Sequence, residues 1–527
     1  MGYKRREIWV VDSETDPFKK KRVPKPFIWG AYNGIEYHEF KTPDQIVDFF
    51  YNKRVIVYAH NGGKFDWFFL LHRIAPFTDM MIISGRLSKF KIGECEYRDS
   101  INILPIPLSA YKKDEFDYSK MEKEVRHLHM PEIKKYLKND CVYLYEVVMK
   151  FIEEYGLNLT LASSALKKWQ KISKMKAPKT NKMFYNEIYP YYYGGRVQPF
   201  VMGEIKKRFK VIDINSAYPF AMKHEHPYGN SYMVSGVLPV APSFIKKSFI
   251  KLKAKATGVF PLRTKKGLNF PNDGEIYEFN ITGWEYLTAQ KIGKLKDEKI
   301  IEVITFYDTI NFNEYIDHFY EMKNEMKKKG DSAMYLFAKL FLNSLYGKFG
   351  ANPEKYNEFK TINSEWIEAC YEDGYEFCSE LNENISVIQK PIDEMKQRYY
   401  NLGVSASITG FVRAYMMEAI HKCKGVMYCD TDSIACEDTG DLELDGSKLG
   451  AWDVEAVCDY GAIAGKKLYA FQKLDGSWKT ASKGVRLTAE ELVKIAKGEE
   501  ITAENTAPTF SIKKQAHFIS RRIKIVS

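Results

Sequence analysis

Apolar and polar positions along the chain fall into short runs whose period changes repeatedly. Ile8-Trp9-Val10-Val11 is a four-residue apolar run closed by Asp12, and Val55 to Ala59 is another; both read as buried strands. Phe65 to Ile74 has helical spacing. Pro131 to Tyr155 predicts a long amphipathic helix with its proline near the start. Residues 1–150 therefore read as alternating strands and helices. A strand is predicted at Phe209 to Ile214, and residues 228–310 hold many short β-like runs punctuated by Gly and Pro. A helical tract over 313–349 is broken near Gly330, and 351–400 is mixed and acidic. A helix over about 404–422, a hairpin over about 425–437 and a basic tail complete the chain. No repeat or low-complexity segment stands out. The pattern predicts a mixed α/β protein, and 527 residues at ~150 per domain suggest three or four units.

Composition narrows the class. Apolar residues make up 45%, which excludes global disorder. Lys and Arg outnumber Asp and Glu by 79 to 68, a net +11, and aromatics reach 15%. Cations meet phosphates and rings meet bases, so this balance suits nucleic acid as well as an ordinary basic enzyme. The eight cysteines form no C-x-x-C, so a zinc ribbon is not expected and reduced thiols are. No apolar run approaches the ~18 residues of a membrane span, and the run after the basic start, Ile8 to Val11, is only four residues long and ends in Asp12. The expectation is a protein without a targeting signal or membrane partner.

Two acidic sets carry candidate chemistry. In Asp12-Ser13-Glu14, alternation along a strand points both carboxylates to one side. Asp66 follows the loop His60-Asn61-Gly62-Gly63-Lys64-Phe65, and Tyr136 and Asp140 share a helix face at i and i+4. Four carboxylates and a phenol are the parts of a two-metal hydrolytic site, with Tyr136 orienting the water. A single D-x-E is common by chance; the ordered set is not. In the second set, Asp213 ends the strand Val211 to Ile214 and runs into Asn215-Ser216-Ala217-Tyr218-Pro219. Tyr428-Cys429-Asp430-Thr431-Asp432-Ser433 reads as the acidic tip of a hairpin. Asp213 and Asp432 could clamp two Mg²⁺ ions on a triphosphate and a primer 3′ oxygen. Between them, at about 100° per residue, Lys339, Asn343 and Tyr346 share one helix face, and Phe337, Phe341 and Leu345 the opposite one. Lys339 suits phosphate oxygens and Tyr346 suits stacking under a base.

These motifs, in this order, resemble family B DNA polymerases, most closely the protein-primed replicases of small tailed bacteriophages and linear plasmids. Asp12/Glu14, Asn61/Asp66 and Tyr136/Asp140 look like the three 3′–5′ exonuclease motifs. Asp213 to Pro219, Lys339 to Gly347 and Tyr428 to Ser433 look like the three polymerase motifs. The resemblance implies an RNase H-like exonuclease domain over 1–155 and a right-hand polymerase domain over 156–527. Within the latter it implies a palm over about 156–227 and 401–475, fingers over about 311–350, a thumb over about 476–527, and insertions over about 228–310 and 351–400.

It further implies that Asp213 and Asp432 bind the catalytic metals with Asp430 in support. Tyr218 would lie under the incoming sugar and exclude a 2′-OH. Lys327 and Lys339 would hold the triphosphate, while Asn343, Tyr346 and Gly347 would shape the nascent-pair pocket. Ser216, Thr431, Lys467 and Tyr469 (a Lys-x-Tyr element), Thr409 and Arg413, and Tyr192, Gly194 and Gly195 (a Tyr-x-Gly-Gly link) would contact DNA. In the exonuclease, Thr15, His60, Asn61, Phe65 and Ser100 match single-strand contacts, and Lys113 a catalytic lysine. Ala217 and Val412 depart from the family pattern, and the His60 to Asp66 loop carries one extra glycine.

The implied cofactor is Mg²⁺, two ions per site, with Mn²⁺ tolerated. The implied partners are template-primer DNA, dNTPs and a terminal protein acting as primer, the enzyme being a monomer or a heterodimer with that protein in the cytoplasm of a bacterial host. The insertions match the family's terminal-protein regions in position. A nucleic-acid-primed repair polymerase and a non-catalytic DNA-binding scaffold are the alternatives. Gly461 to Lys466 falls one residue short of a phosphate loop, and His127/His129 and His224/His226 are expected at the surface or facing phosphate.

Overall fold

The structure, a computed structural model, describes residues 6–265 and 267–525. Its N-terminal half is built on the strand Ile8–Thr15, which pairs parallel to Ile56–Ala59 and antiparallel to Pro26–Tyr32. The strand thus continues past the apolar run that ends at Val11, and Asp12 and Glu14 lie within it. The helix Met130–Tyr155, with Pro131 in its first turn, packs Ile133, Leu137, Leu144 and Phe151 against this sheet. A Cβ on Gly30 would come within 3.0 Å of Cys141 Sγ. Only glycine lets the helix approach so closely, and that approach brings Asp140 to Asp12. The helix expected over Phe65 to Ile74 is instead two 3₁₀ turns, Asp66–Phe69 and Leu71–Arg73. Phe65, at φ −152° and ψ −86°, interrupts the preceding turn, so an α-helix cannot propagate through it.

The sheet does not end with the N-terminal segment. Ten strands run in the spatial order Glu376–Glu380, Ile385–Pro391, Asn357–Asn363, Asp79–Ile83, Arg86–Ile92, Cys95–Asp99, Ile56–Ala59, Ile8–Thr15, Pro26–Tyr32, Tyr37–Phe40. Residues 357–391 therefore extend the sheet of the N-terminal half. The join is short, Phe359 opposite Met80 and Lys360 opposite Asp79. Ile385, Val387 and the distant Ile512 share one apolar cluster with Trp9 and Trp67.

The second half is organised around a sheet of eight strands. Phe209–Ile214 lies between Trp452–Gly465 and Ser433–Cys436; Tyr428–Thr431 follows as the hairpin partner. The strand Trp478–Ser482 belongs to this sheet, which thus extends past residue 475. The helix Leu402–Lys422 is buried almost all round, as a helix apolar on every side must be. Residues 226–310 hold a four-stranded sheet with the helix Gly283–Lys291. The helices Asn313–Lys329 and Ser332–Ser344 are separated by Gly330, which caps the first at φ 72°. One apolar cluster runs through both halves: Phe151 meets Phe337 edge-on, and Tyr155 lies 4.2 Å from Phe341.

Candidate active sites

The first acidic site is assembled from the central strand and the long helix. Ligand oxygens of Asp12, Glu14 and Asp140 all lie within 4.8 Å of one another. Glu14 Oε1 and Asp140 Oδ1 are buried and have no hydrogen-bond partner among the described residues. Burial, then repulsion from Glu14, Asp140 and Asp66, holds Asp12 well above the ordinary carboxylate range. Burial and Asp140 push Glu14 up to about 8. Asp66 stands at the edge of the group, with burial raising it to about 7 while its Oδ1 accepts from Ser13 Oγ at 2.5 Å. Carboxylates crowded together with orphaned acceptor oxygens are a donor set suited to a hard divalent cation, and a cation would cancel the repulsion that raises them.

Tyr136 and Lys113 face this set. The Tyr136 hydroxyl lies 3.0 Å from that of Tyr118, and Lys113 Nζ sits 5.6 and 5.9 Å from the two rings. Burial works against the Lys113 charge, but the Tyr118 hydroxyl and the carboxylates Asp140 and Asp12 outweigh it and raise its pKa. A cavity of about 450 Å³ is lined by Asp12, His60, Asn61, Leu108, Lys113 and Asp140. Not every expected strand contact faces that cavity. Ser100 is fully buried and pairs with His60 Nδ1 at 2.9 Å, while His60 Nε2 donates to the Ile106 carbonyl at 2.8 Å. Ser100 thus orients His60 and is closed to a strand. Phe65 packs edge-on against Phe18, Phe69 and Phe510, and Thr15 Oγ1 donates to the Asp16 carbonyl.

The second site lies at the tip of the eight-stranded sheet. Asp213 is directly opposite Ser433 on one side and Asp453 on the other, and the Ile214 N–H donates to the Asp432 carbonyl at 2.9 Å. Register therefore brings Asp213 and Asp432 together across 219 positions of sequence. Burial, then Asp432 and Glu455, raise Asp213 to about 7; burial, then Asp430, raise Asp432 to about 6. Asp430 is neutralised by Lys467, whose Nζ lies 2.7 Å from it. Tyr469 is buried against Tyr428 and Phe471. A cavity of about 590 Å³ opens on Asp213, Asp432, Ser216, Tyr218, Lys339 and Asn343. Tyr218 stacks on Tyr346 with centroids 4.4 Å apart and planes 5° from parallel. Gly347 has open space where a side chain would stand.

Several placements differ from the sequence expectation. Lys327 is exposed beyond the cavity, and Lys323, one helical turn earlier, lines it. Asp453, Glu455, Lys479 and Tyr335 also line it and were missed. Asp453-x-Glu455 has the same alternating spacing as Asp12-x-Glu14, which was the available signal. Thr409 and Arg413 are buried and closed to DNA. Thr409 Oγ1 bonds the Ala406 carbonyl, and Arg413 bonds Glu285 together with the carbonyls of Tyr193 and Gly194. Glycine at 195 is required by the chain itself: a Cβ there would lie 2.7 Å from Thr431 Cγ2. Gly194 has no such neighbour, and Tyr192 packs in an internal cluster. His226, expected at the surface, is a core residue paired with Ser407 Oγ and the Ala221 carbonyl.

The family described as "DNA polymerase type B, organellar and viral" matches residues 87–425. The DNA-directed DNA polymerase of Enterobacteria phage PRD1 is 37% identical, and the alignment covers 98% of each chain. The DNA polymerase of Bacillus phage phi29 is 25% identical over 97% of this chain and 96% of its own. The fold superposes on phi29 DNA polymerase complexed with primer-template DNA and incoming nucleotide substrates, with a TM-score of 0.75 at 19% identity, over 99% of this chain and all of that one.

Proposed function

The chain belongs to the type B DNA polymerases of organellar and viral type and is a DNA-directed DNA polymerase, and from that premise we propose that its two acidic sites divide polymerisation from 3′–5′ proofreading. The observation that carries the reading is the pairing of the strand of Asp213 with the hairpin of Asp432 beneath the helix of Lys339, all three residues opening on one cavity. In this reading Asp213 and Asp432 hold divalent cation for dNMP addition, with Asp430 in support through Lys467. Asp12, Glu14 and Asp140, with Asp66 beside them, hold it for hydrolysis. Mg²⁺ is the proposed ion, with Mn²⁺ tolerated. Bound divalent ions would neutralise phosphate charge and lower the pKa of the attacking hydroxyl or water.

The chain's own side chains do the rest. Lys339 and Lys323 meet triphosphate oxygens as point charges. Tyr218, held flat against Tyr346, presents a ring where a 2′-OH would stand. Tyr136 orients the attacking water at the exonuclease carboxylates, and Lys113 compensates charge there. Residues 1–155 together with the added strands of 351–400 would form the exonuclease unit, and palm, fingers and thumb the remainder.

We further propose that synthesis starts on a terminal protein, the first nucleotide joining one of its hydroxyl side chains, in the cytoplasm of a bacterial host. The two insertions support this by their position between the polymerase motifs, and the phage relatives support the setting. The decisive experiment pairs two variants. Asp432→Ala should lose primer extension and keep single-strand degradation; Asp12→Ala should do the reverse. Loss of DNA binding in both, with activities otherwise coupled, refutes the division. Incubation with labelled dATP, Mg²⁺ and a candidate terminal protein should give a covalent protein–nucleotide adduct. Extension of DNA primers without any such adduct favours nucleic-acid priming.

A further inference from the structure

Arg86 belongs to none of the sequence motifs, yet it fixes a side chain that lines the exonuclease cavity. It opens the strand Arg86–Ile92, and its Nη1 donates to two acceptors, Asp99 Oδ2 at 2.7 Å and Asn61 Oδ1 at 2.7 Å. The Asp99 side chain is wholly buried. It also accepts the Gly63 N–H on Oδ2 and the Ile101 N–H on Oδ1, each at 3.0 Å. The guanidinium is thus anchored by a sealed counter-ion, and one of its N–H groups is committed to Asn61.

The loop cannot relax away from this arrangement. Asn61 sits at φ 66°, a left-handed conformation that its short polar side chain tolerates. At Gly63 a Cβ would lie 2.2 Å from the Leu87 carbonyl, so the extra glycine of this loop is a steric requirement of docking on the strand of Arg86. With its oxygen facing a cationic donor, the Asn61 amide turns its NH₂ group away from Arg86. Asn61 borders the cavity that also holds Asp12, Lys113 and Asp140.

We propose that Arg86, braced by Asp99, is a positioning residue that sets Asn61 to offer a hydrogen-bond donor to an acceptor oxygen of the nucleic-acid 3′ end. This rests on the exonuclease reading of the cavity and adds to it a determinant of strand binding. In degradation of a single-stranded oligonucleotide by the full chain, Arg86→Ala should raise KM about 3–10-fold and leave kcat within about twofold. Arg86→Lys should recover part of the loss. Asn61→Ala should reproduce the KM shift, and the double variant should be no worse than either single one, because both remove one interaction. Primer extension by Arg86→Ala should match the parent chain, which separates positioning from unfolding. A parental KM in Arg86→Ala, or KM defects that multiply in the double variant, overturns the proposal. If the parent chain degrades no single strand, the exonuclease reading fails instead. Anisotropy binding of a 3′-phosphorothioate oligonucleotide without divalent cation then decides the role of Arg86 alone: weakened binding supports it, unchanged binding overturns it.

Discussion

Arg413 and Glu285, on helices 128 positions apart, form a bidentate ion pair with both side chains sealed from solvent. Glu285 also closes the capping box of its own helix with Thr282, and Arg413 donates to the carbonyls of Tyr193 and Gly194. One buried pair therefore ties the helices Gly283–Lys291 and Leu402–Lys422 to residues 193 and 194. Arg413→Ala leaves a buried carboxylate without its partner and is expected to cost about 3–5 kcal/mol in chemical denaturation. Replacing both residues with apolar ones of similar volume should cost much less.

A Cβ on Gly195 would stand 2.7 Å from Thr431 Cγ2 on the hairpin of Asp432. Gly195→Ala is expected to displace Thr431, at a cost of about 1–3 kcal/mol, and to lower the rate of dNMP incorporation more than that of single-strand degradation. Adding Thr431→Ser removes the clashing methyl and should restore part of the rate. Separate incorporation and degradation assays on the single and double variants check this.

Tyr218 is stacked nearly parallel on Tyr346, with centroids 4.4 Å apart. Tyr218→Val should admit ribonucleotides, with the dNTP-over-rNTP preference in kcat/KM falling at least ~10-fold. Tyr346→Leu should give a smaller fall, by loosening the ring that excludes the hydroxyl. Single-nucleotide incorporation kinetics measure both.

Stability should depend on pH in a direction opposite to that of paired carboxylates. Asp213, Asp432, Glu14 and Asp66 have folded values of about 7, 6, 8 and 7, against unfolded values of 3.8 to 4.5. The folded state binds these protons more tightly, so it is favoured below the unfolded values and loses that advantage as pH rises through the folded ones. In chelator the melting temperature should fall between about pH 5 and pH 8, and added Mg²⁺ should raise it more at the upper end. Asp213→Asn should flatten part of the slope.

What was legible in the sequence was local. The strands of Asp12 and Asp213, the helix of Tyr136 and Asp140, the hairpin of Asp432 and the buried stripe of Phe337, Phe341 and Leu345 all follow from period and punctuation. Pairings between distant segments were not. Asp453 and Glu455 join the site because Trp452–Gly465 takes up a particular register against Phe209–Ile214, and nothing within either strand sets that register. The choice between Lys323 and Lys327 turns on one helical turn, which period alone leaves open. Arg413 reads as a DNA contact until its buried partner is known.

The seam between Asp79–Ile83 and Asn357–Asn363 bears on how the molecule is made. As the chain leaves the ribosome, the early strands wait for nearly three hundred further residues before their last neighbours are synthesised. Until then the Asp79 edge lies bare, with ladder groups able to recruit a foreign strand. A fragment ending near residue 155 should therefore clump during expression more than the full chain does.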